Sequence, residues 1–204
     1  MSAVRPARAP DVPDMAAVLV GALGEKLRPA FGSGAERAMR GLIGADLGRD
    51  EVRYWVAEDD EGRVVGLVHL ALTQTADSGF YEVVRRELGT LRASWATMVL
   101  SLLAYPRLAP DEAYVEELAV HPSARRRGLA RGLLAACADE AASRGKRRLT
   151  LWVGAHNDPA LALYAREGFR AVRRRRSLAA RWLFAMPEAV LMERPLAAPG
   201  PAPG

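Results

Sequence analysis

The spacing of apolar residues divides this chain into short strands and longer helices. Runs of alternating or β-branched apolar residues predict strands at 3–8, 53–57, 63–72, 114–120, 148–153, 170–176 and 189–194. Apolar residues three and four positions apart predict helices that begin after residue 11, at 35–47, within 77–110, at 130–141 and at 157–168. Because strands and helices alternate, the pattern predicts one α/β domain.

Two local signals refine the first half of the pattern. The first helix carries its apolar side chains on one face, and Asp11 is its expected N-terminal cap. The segment Asp59 to Gly62 separates two apolar runs and predicts the turn of a β-hairpin. Two antiparallel strands are therefore expected before the middle of the chain.

A later strand passes into a helix through a basic turn that contains glycine. The strand is YVEELAV, from 114 to 120, and the turn VHPSARRRGLA runs from 120 to 130. The apolar stripe of the helix that follows ends before Gly145, an expected C-terminal cap. The first turn of a helix has unpaired backbone N–H groups and the positive end of the helix dipole. The sequence therefore predicts a phosphate-binding turn at this point.

The same order of elements continues after the helix. The segment RLTLWV, from 148 to 153, alternates like a strand. Asn157 and Pro159 are typical of a helix start, and this short helix is expected to end at Gly168. The predicted order is strand, phosphate turn, helix, strand, helix.

These two segments resemble the signatures of the GNAT superfamily of acyl-CoA-dependent N-acyltransferases. The first signature is Q/R-x-x-G-x-G/A, which Arg125, Gly128 and Ala130 match. The second is N-x-x-A-x-x-L-Y-x-x-x-G-F, and its matching positions are Asn157, Ala160, Leu163, Tyr164, Gly168 and Phe169. Two motifs in the expected structural context are more specific than either one alone.

The resemblance implies an α/β (α+β) fold with a central mixed, mostly antiparallel sheet. Helices would cover both faces, and a splayed pair of parallel strands would hold acyl-CoA. Residues 1–196 would form a single domain with a helical insertion at about 77–110, and the Pro/Ala/Gly tail at 197–204 is expected to be disordered. In that fold the loop amides would surround the diphosphate of acetyl-CoA, the cosubstrate. The residues that would bind it are Leu118, Ala119, Val120, Arg125, Arg126, Arg127, Gly128, Leu129, Ala130, Arg131, Asn157, Ala160 and Tyr164.

Transfer of an acyl group to an amine requires a base. A lysine-like amine, with a pKa of about 10.4, is mostly protonated at neutral pH, so a carboxylate is a natural proton acceptor. The resemblance indicates Glu116 or Glu117, with Glu116 ranked first; strand alternation puts them on opposite faces unless a bulge intervenes. The resemblance also implies that Tyr164 donates a proton or hydrogen bond to the departing thiolate. As structural alternatives, Tyr164 is a core tyrosine and Asn157 a simple helix cap.

The acceptor is a small-molecule or peptide amine that the sequence does not identify. In the resembled family its pocket is made by variable segments, here 20–50, 77–110 and 177–187. The insertion has an apolar stripe that either lines this pocket or packs on the sheet: Leu91, Trp95, Met98, Val99, Leu102 and Leu103. In the third segment, 177–187, the conspicuous residues are Trp182, Leu183 and Phe184. Two other functional classes stay open: an inactive acyl-CoA-binding regulator, and a basic nucleic-acid-binding module.

Composition changes this picture little. The chain has 204 residues, with 29 Lys and Arg against 24 Asp and Glu. The run Arg173 to Arg176 is expected to be a solvated strand rather than a nucleic-acid site, because no aromatic residues interleave with it. His69, His121 and His156 are scattered, so no metal site is expected, and Cys137 is expected to be a buried, inert thiol.

The expected environment follows from what the sequence lacks. No apolar leader or membrane-spanning run is evident, so we expect a cytoplasmic protein with no membrane partner. No nucleic-acid partner is expected either, and the sequence allows a homodimer.

Overall fold

Seven strands and seven helices build the described part of the chain. The computed structural model describes residues 3–73, 79–101, 108–184 and 186–196. The strands are β1 (Val4–Pro6), β2 (Val52–Glu58), β3 (Val64–Ala71), β4 (Glu112–Val120), β5 (Arg148–Gly154), β6 (Arg170–Arg176) and β7 (Glu188–Pro195). The helices are α1 (Val12–Phe31), α2 (Ala35–Asp46), α3 (Phe80–Leu88), α4 (Thr90–Ser101), α5 (Leu129–Ser143), α6 (Asp158–Arg166) and α7 (Leu178–Phe184).

All seven strands belong to one sheet, in the order β1-β2-β3-β4-β5-β7-β6. Neighbouring strands run antiparallel except β4 and β5, which are parallel. The predicted mixed, mostly antiparallel sheet with one parallel pair is therefore confirmed. The predicted hairpin joins β2 and β3, and its turn is closed by the amide of Gly62, which donates to the carbonyl of Asp59.

Apolar side chains from the sheet reach a core on each of its faces. Along β2, Tyr54 and Val56 join the core beneath α1, α2 and α4, whereas Trp55 and Ala57 join the core beneath α5 and α6. This alternation follows from the two-residue period of a strand. Helices thus cover both faces, as predicted, and bury strands such as β2 and β3 between them.

The insertion forms two helices, and among the described residues of its predicted apolar stripe only Val99 is buried. In α4 the buried residues are Ala93, Ala96 and Val99, whereas Leu91 is 90% exposed and Met98 is 50% exposed. The helix has apolar residues on both sides, and alanines allow its backbone to approach the core closely. Apart from Val99, the described large side chains of the predicted stripe therefore lie on the exposed side of α4, and the small alanines face the core. Trp95 is also exposed, and its indole N–H donates to the carbonyl of Pro29. The predicted stripe residues 102 and 103 lie outside the described residues.

Asp11 does not cap α1 with its side chain, contrary to the prediction. It accepts two hydrogen bonds from the Arg5 guanidinium, of 2.7 and 2.9 Å, and one from the backbone N–H of Arg8. Arg5 also donates to Glu58 at the end of β2. The carboxylate thus fixes the first strand beside the second, and the Arg5 hydrogen bonds lower the pKa of Asp11.

Two terminal features complete the fold. All residues of β6 are exposed, and Arg174 and Arg176 pair with Glu188 of β7, which agrees with a solvated arginine-rich strand. In α7, Trp182 is 84% exposed, so it does not contribute to the core. The tail predicted to be disordered, 197–204, lies outside the described residues. Among the described helices, none has the length and apolar character needed to cross a membrane.

Candidate active site

The parallel strands β4 and β5 diverge where the candidate site lies. Their ladder joins Glu112–Tyr114 to Arg148–Thr150 and then stops. Beyond that point β4 continues to Val120 along β3, and β5 continues to Gly154 along β7. Because parallel strands end at the same edge of a sheet, the helices α5 and α6 both begin at this edge. The divergence opens a cleft between the two strands, bordered by the start of each helix.

The turn between β4 and α5 has the backbone conformation of an anion site. Arg126 has φ +66° and Gly128 has φ +81°. Among the described residues, Arg126 is the one residue other than glycine that has a positive φ. Gly128 lies immediately before α5, and its carbonyl accepts the N–H of Gly132, the first intrahelical bond. The N–H groups of Leu129, Ala130 and Arg131 therefore have no partner within the helix. Such groups, at the positive end of the helix dipole, suit a diphosphate.

The predicted phosphate-binding residues meet in this one turn. Arg126 and Arg127 are exposed, and Arg125 donates from Nε to the carbonyl of Val120 over 3.3 Å. Arg131 is exposed on the first turn of α5, where its Nε lies 3.8 Å from Glu167 of α6. The guanidinium groups thus surround the free helix N–H groups with positive charge. Their role toward a cofactor stays a prediction.

Changing Gly128 to valine is expected to weaken cofactor binding about tenfold. A Cβ at this position meets no atom within 4 Å, so a side chain does not crowd the loop. The cause is the left-handed backbone, which costs a β-branched residue about 1–2 kcal/mol. When the turn relaxes, its N–H groups lose their common direction, and 1.4 kcal/mol is about a factor of ten in Kd. Calorimetric titration with acetyl-CoA measures the change.

Gly145→Val is the matched control for Gly128→Val. Gly145 follows the opposite end of α5, has φ +71°, and likewise has open space around its Cβ. The two variants carry similar backbone strain and differ in distance from the turn. Equal loss of acetyl-CoA affinity in both would contradict a binding role for the turn.

Two of the predicted site residues belong to the α6 segment. Asn157 Oδ1 accepts the N–H of Ala160 over 3.3 Å, so Asn157 caps α6, which was its structural alternative. Tyr164 is 9% exposed and packs edge-on against Phe169, with ring centroids 5.7 Å apart. Burial raises the pKa of Tyr164 to about 12. The phenol is therefore neutral and keeps its proton at physiological pH.

A β-bulge brings the two candidate bases together. In the β3–β4 ladder His69 pairs with Glu117 and Leu70 pairs with Val115, which leaves Glu116 as an extra residue. A bulge changes the direction of side chains that would otherwise alternate. Both carboxylates consequently reach one imidazole nitrogen, although regular alternation would have separated them.

That nitrogen belongs to His69, which the sequence reasoning set aside. His69 Nδ1 lies 2.8 Å from Glu117 Oε2 and 3.2 Å from Glu116 Oε2. The ring is 5% exposed and stacks on Tyr54, with centroids 4.3 Å apart. The available signal was a titratable residue in the middle of the apolar strand VVGLVHLA, because a buried polar side chain normally has a specific partner.

The charges of this group oppose one another. Burial raises the pKa of Glu116 to about 6, with Glu117 and Asp46 adding to the effect and His69 opposing it. Burial also disfavours the charged form of His69, but Glu116, Glu117 and Asp46 outweigh it and raise the pKa of His69 to about 9. At neutral pH the imidazole is therefore protonated, and most of Glu116 is ionised.

The same three side chains are the one candidate metal-ligand group among the described residues. Their donor atoms lie within 4.8 Å of one another. His69 and Glu117 are 48 positions apart in the sequence, so the sequence alone does not indicate that they lie close together. A hydrogen bond from Nδ1 to Glu117 and an ion pair with Glu116 account for the arrangement. The absence of a metal stays a prediction.

Two of the three segments expected to line the acceptor pocket meet in a groove. Its lining comes from residues of α1 and α2 and from the insertion: Phe31, Ser33, Gly34, Glu36, Arg37, Arg40, Leu88 and Arg92. The groove lies along the N-terminal half of α2, whereas Asp46, at the other end of α2, is close enough to raise the pKa of His69. The acceptor role of these segments stays a prediction.

Cys137 takes no part in the site. It is fully buried on α5, and burial raises its pKa. A thiol in this environment stays protonated and inert, as predicted.

Comparison with known proteins identifies the family. The model of the acetyltransferase (GNAT) family matches residues 21–169, which include the β4–α5 turn, the bulge and α6. This chain belongs to the GNAT family. The predicted resemblance is therefore confirmed. A mycothiol acetyltransferase from Clavibacter sepedonicus is 49% identical over 59 residues, which is 29% of this chain and 19% of that protein. The chain thus spans about a fifth of the curated relative that it matches.

Solved GNAT structures share the fold over nearly the whole chain. A GCN5-related N-acetyltransferase from Kribbella flavida has a TM-score of 0.64 and 19% identity, covering 96% of this chain and 98% of its own. The ribosomal-protein-S18-alanine N-acetyltransferase from Escherichia coli has a TM-score of 0.61 and 19% identity, covering 100% and 99%. A GNAT acetyltransferase from Elizabethkingia anophelis, solved with acetyl-CoA bound, has a TM-score of 0.59 and 15% identity, covering 96% and 98%.

Proposed function

We propose that this GNAT protein transfers an acetyl group from acetyl-CoA directly to a primary amine. The observation that carries the proposal is the bulge that presents Glu116 and Glu117 on β4, just beyond the point where β4 leaves β5. A base beside a cleft that ends at a helix N-terminus suits a thioester with a long phosphorylated carrier. No metal is required for this reaction.

The chain's residues would divide the binding work along the cleft. The backbone N–H groups at the start of α5 bind the diphosphate, and Arg125, Arg126, Arg127 and Arg131 supply positive charge around it. The β4 backbone from Leu118 to Val120 lies along the cleft and offers hydrogen bonds to the pantetheine arm. Asn157 binds the pantetheine amides at the start of α6.

Proton transfer precedes formation of the new bond. Glu116, ionised at neutral pH, accepts a proton from the acceptor's ammonium group, directly or through water. The neutral amine then forms a C–N bond with the acetyl carbonyl carbon, and the C–S bond breaks. The amine's second proton leaves with solvent, and the electron pair of the C–S bond remains on the thiolate.

Tyr164 would stabilise that thiolate by a hydrogen bond. A thiol has a pKa of about 8.5, whereas burial raises the pKa of Tyr164 to about 12. Complete proton transfer from the phenol to the thiolate is therefore uphill. Donation of a hydrogen bond still lowers the energy of the developing charge, and a bond to a charged group contributes about 1.5–3 kcal/mol.

The pH dependence of kcat/KM for the acceptor should report the ionisation of Glu116. Its pKa is raised to about 6, and only the ionised form accepts a proton. We therefore expect kcat/KM to be insensitive to the ionisation of Glu116 well above pH 6 and to fall about tenfold per pH unit well below it. A pH–rate profile from pH 4.5 to 8, with a thermal melt at each pH as a control for folding, measures the limb. An acid limb near the ordinary glutamate value of about 4.3 would contradict the assignment of Glu116.

The acceptor is proposed only as a primary amine. The partial relative is named a mycothiol acetyltransferase, whereas the Escherichia coli structural neighbour is named a ribosomal-protein-S18-alanine N-acetyltransferase. These acceptors differ, and neither similarity extends to the whole of both chains at high identity. A small-molecule or peptide amine is consistent with the open groove between α2 and the insertion.

A thiol-release assay tests the proposed function. Acetyl-CoA is supplied with polyamines, amino acids, aminoglycosides, and peptides with a free N-terminus or lysine, and mass spectrometry identifies the product. We expect thiol release that depends on at least one amine and yields its acetylated form. Tight acetyl-CoA binding without turnover on any amine would favour a regulator. Salt-sensitive DNA binding that CoA does not displace would favour the nucleic-acid module.

A further inference from the structure

His69 has polar contacts that no catalytic step described so far uses. Its ring lies in the middle of β3, opposite Tyr54 of β2 and opposite Glu117 of β4. Tyr54 stacks on the ring at an interplanar angle of 14°. Nε2 is buried and has no hydrogen-bond partner among the described residues. The imidazole therefore contacts both glutamates through Nδ1, by a hydrogen bond to Glu117 and an ion pair with Glu116.

We propose that His69 is a positioning residue that joins Glu116 and Glu117 into one unit and holds Glu116 oriented and ionised as the base. The inference rests on the proposed function, because it assigns a partner to that reaction's base. Nδ1–H donates a hydrogen bond to Glu117, and the positive charge of the ring also attracts Glu116, so the imidazolium holds together two carboxylates that would otherwise repel each other. The bulge allows this arrangement, since it puts both side chains within 3.2 Å of Nδ1.

The neighbouring elements determine the charge balance of the unit. Asp46 faces it from α2 and is paired with Arg49 at 3.7 Å, while Glu116 and Glu117 face it from β4. Tyr54 faces it from β2 and stays neutral, because burial raises the pKa of its phenol. Three carboxylates thus surround one imidazolium. The imidazolium lowers the pKa of Glu116, whereas Glu117 and Asp46 raise it.

Two substitutions should move the acid limb of kcat/KM in opposite directions. His69→Asn keeps an amide N–H near the position of Nδ1 but removes the positive charge, so the limb should move up by about one pH unit. Glu117→Gln removes a negative charge, so the limb should move down by about half a unit to one unit. A residue that only supports the fold would lower activity without moving the limb in this charge-dependent way.

A third variant separates orientation from charge. His69→Leu removes both the N–H and the charge, so kcat should fall further than in His69→Asn, by about tenfold or more. The rescue by asparagine would show that the hydrogen bond positions the carboxylates. His156→Asn, at an exposed histidine outside the unit, is the matched control and should leave the limb in place.

Titration of the histidine rings by NMR tests the unit without any substrate. The chain has three histidines, and the His69 signal is the one lost in His69→Asn. In the wild-type protein His69 should titrate near pH 9, and Glu117→Gln should lower this value by about half a unit or more. The measurement requires neither acetyl-CoA nor an acceptor, so it remains informative if the proposed function fails.

The outcomes distinguish the two claims. A raised His69 titration together with opposite shifts of the acid limb supports the inference. A His69 that titrates below its usual value of about 6.5, or that ignores Glu117→Gln, overturns it even in an active enzyme. If His69→Asn does not fold, the wild-type titration and Glu117→Gln decide alone. Absence of turnover with a raised His69 titration would contradict the acetyltransfer proposal and leave the hydrogen-bonded unit intact.

Discussion

Glu116→Gln is expected to lower kcat about 100- to 1,000-fold at neutral pH. The amide is nearly the same size as the carboxylate, but it cannot take a proton from the acceptor. General base catalysis contributes about 10²–10⁴-fold. Steady-state assays with acetyl-CoA and an accepted amine measure the loss, and calorimetry should show nearly unchanged acetyl-CoA affinity.

The pH profile of Glu116→Gln provides an internal control. If Glu116 is the base, the remaining activity should no longer fall as the pH drops through about 6. Glu61→Gln, in the exposed turn between β2 and β3, should retain the wild-type rate and profile. Retention of the acid limb in Glu116→Gln would indicate that another group, such as Glu117, accepts the proton.

Tyr164→Phe is expected to slow turnover about 10- to 100-fold while leaving acetyl-CoA affinity nearly intact. The substitution removes the hydroxyl and keeps the ring that packs on Phe169, so the packing changes little. The expected loss corresponds to a hydrogen bond of about 1.5–3 kcal/mol that forms only as the thiolate develops. Single-turnover kinetics measure the chemical step separately from product release.

A comparison of rate and binding decides the role of Tyr164. A lower rate with an unchanged Kd for acetyl-CoA and an unchanged melting temperature fits hydrogen bonding to the leaving group. An unchanged rate would remove Tyr164 from the mechanism and leave it as a core tyrosine. A large drop in melting temperature would mean that the hydroxyl has a structural partner instead.

Local sequence patterns predicted the elements that build the cleft. The turn before α5 is marked by Gly128, and the start of α6 is marked by Asn157. Each signal is local, so the sequence alone predicts where these two helices begin. The parallel β4–β5 pair followed from the resemblance, and its short ladder agrees with the expected splay. These features depend on residues that are close in the sequence or on the order of the two motifs along the chain.

The group formed by His69, Glu116 and Glu117 could not be predicted because it depends on the register between strands. Glu116 and Glu117 face the same imidazole only because the β3–β4 ladder shifts at His69 and Leu70. His69 and Glu117 are 48 positions apart, and no local signal joins them. For a similar reason Asp11 was expected to cap α1, although its partner Arg5 precedes the helix in a different element.

The buried face of α4 was missed for another physical reason. Periodicity separates apolar from polar positions, but α4 has apolar residues on both faces. The larger side chains suggested one face, whereas the core accepts the small ones, Ala93 and Ala96, at close approach. The large apolar side chains of Leu91, Trp95 and Met98 are consequently exposed.

A crystal structure of the protein with acetyl-CoA tests the central claim most directly. The account predicts the diphosphate within hydrogen-bonding distance of the N–H groups that begin α5, and the pantetheine arm between β4 and β5. The thioester should lie between the Glu116 carboxylate and the Tyr164 hydroxyl. Acetyl-CoA bound elsewhere on the protein, or a cleft that stays empty at saturating concentration, would contradict the account.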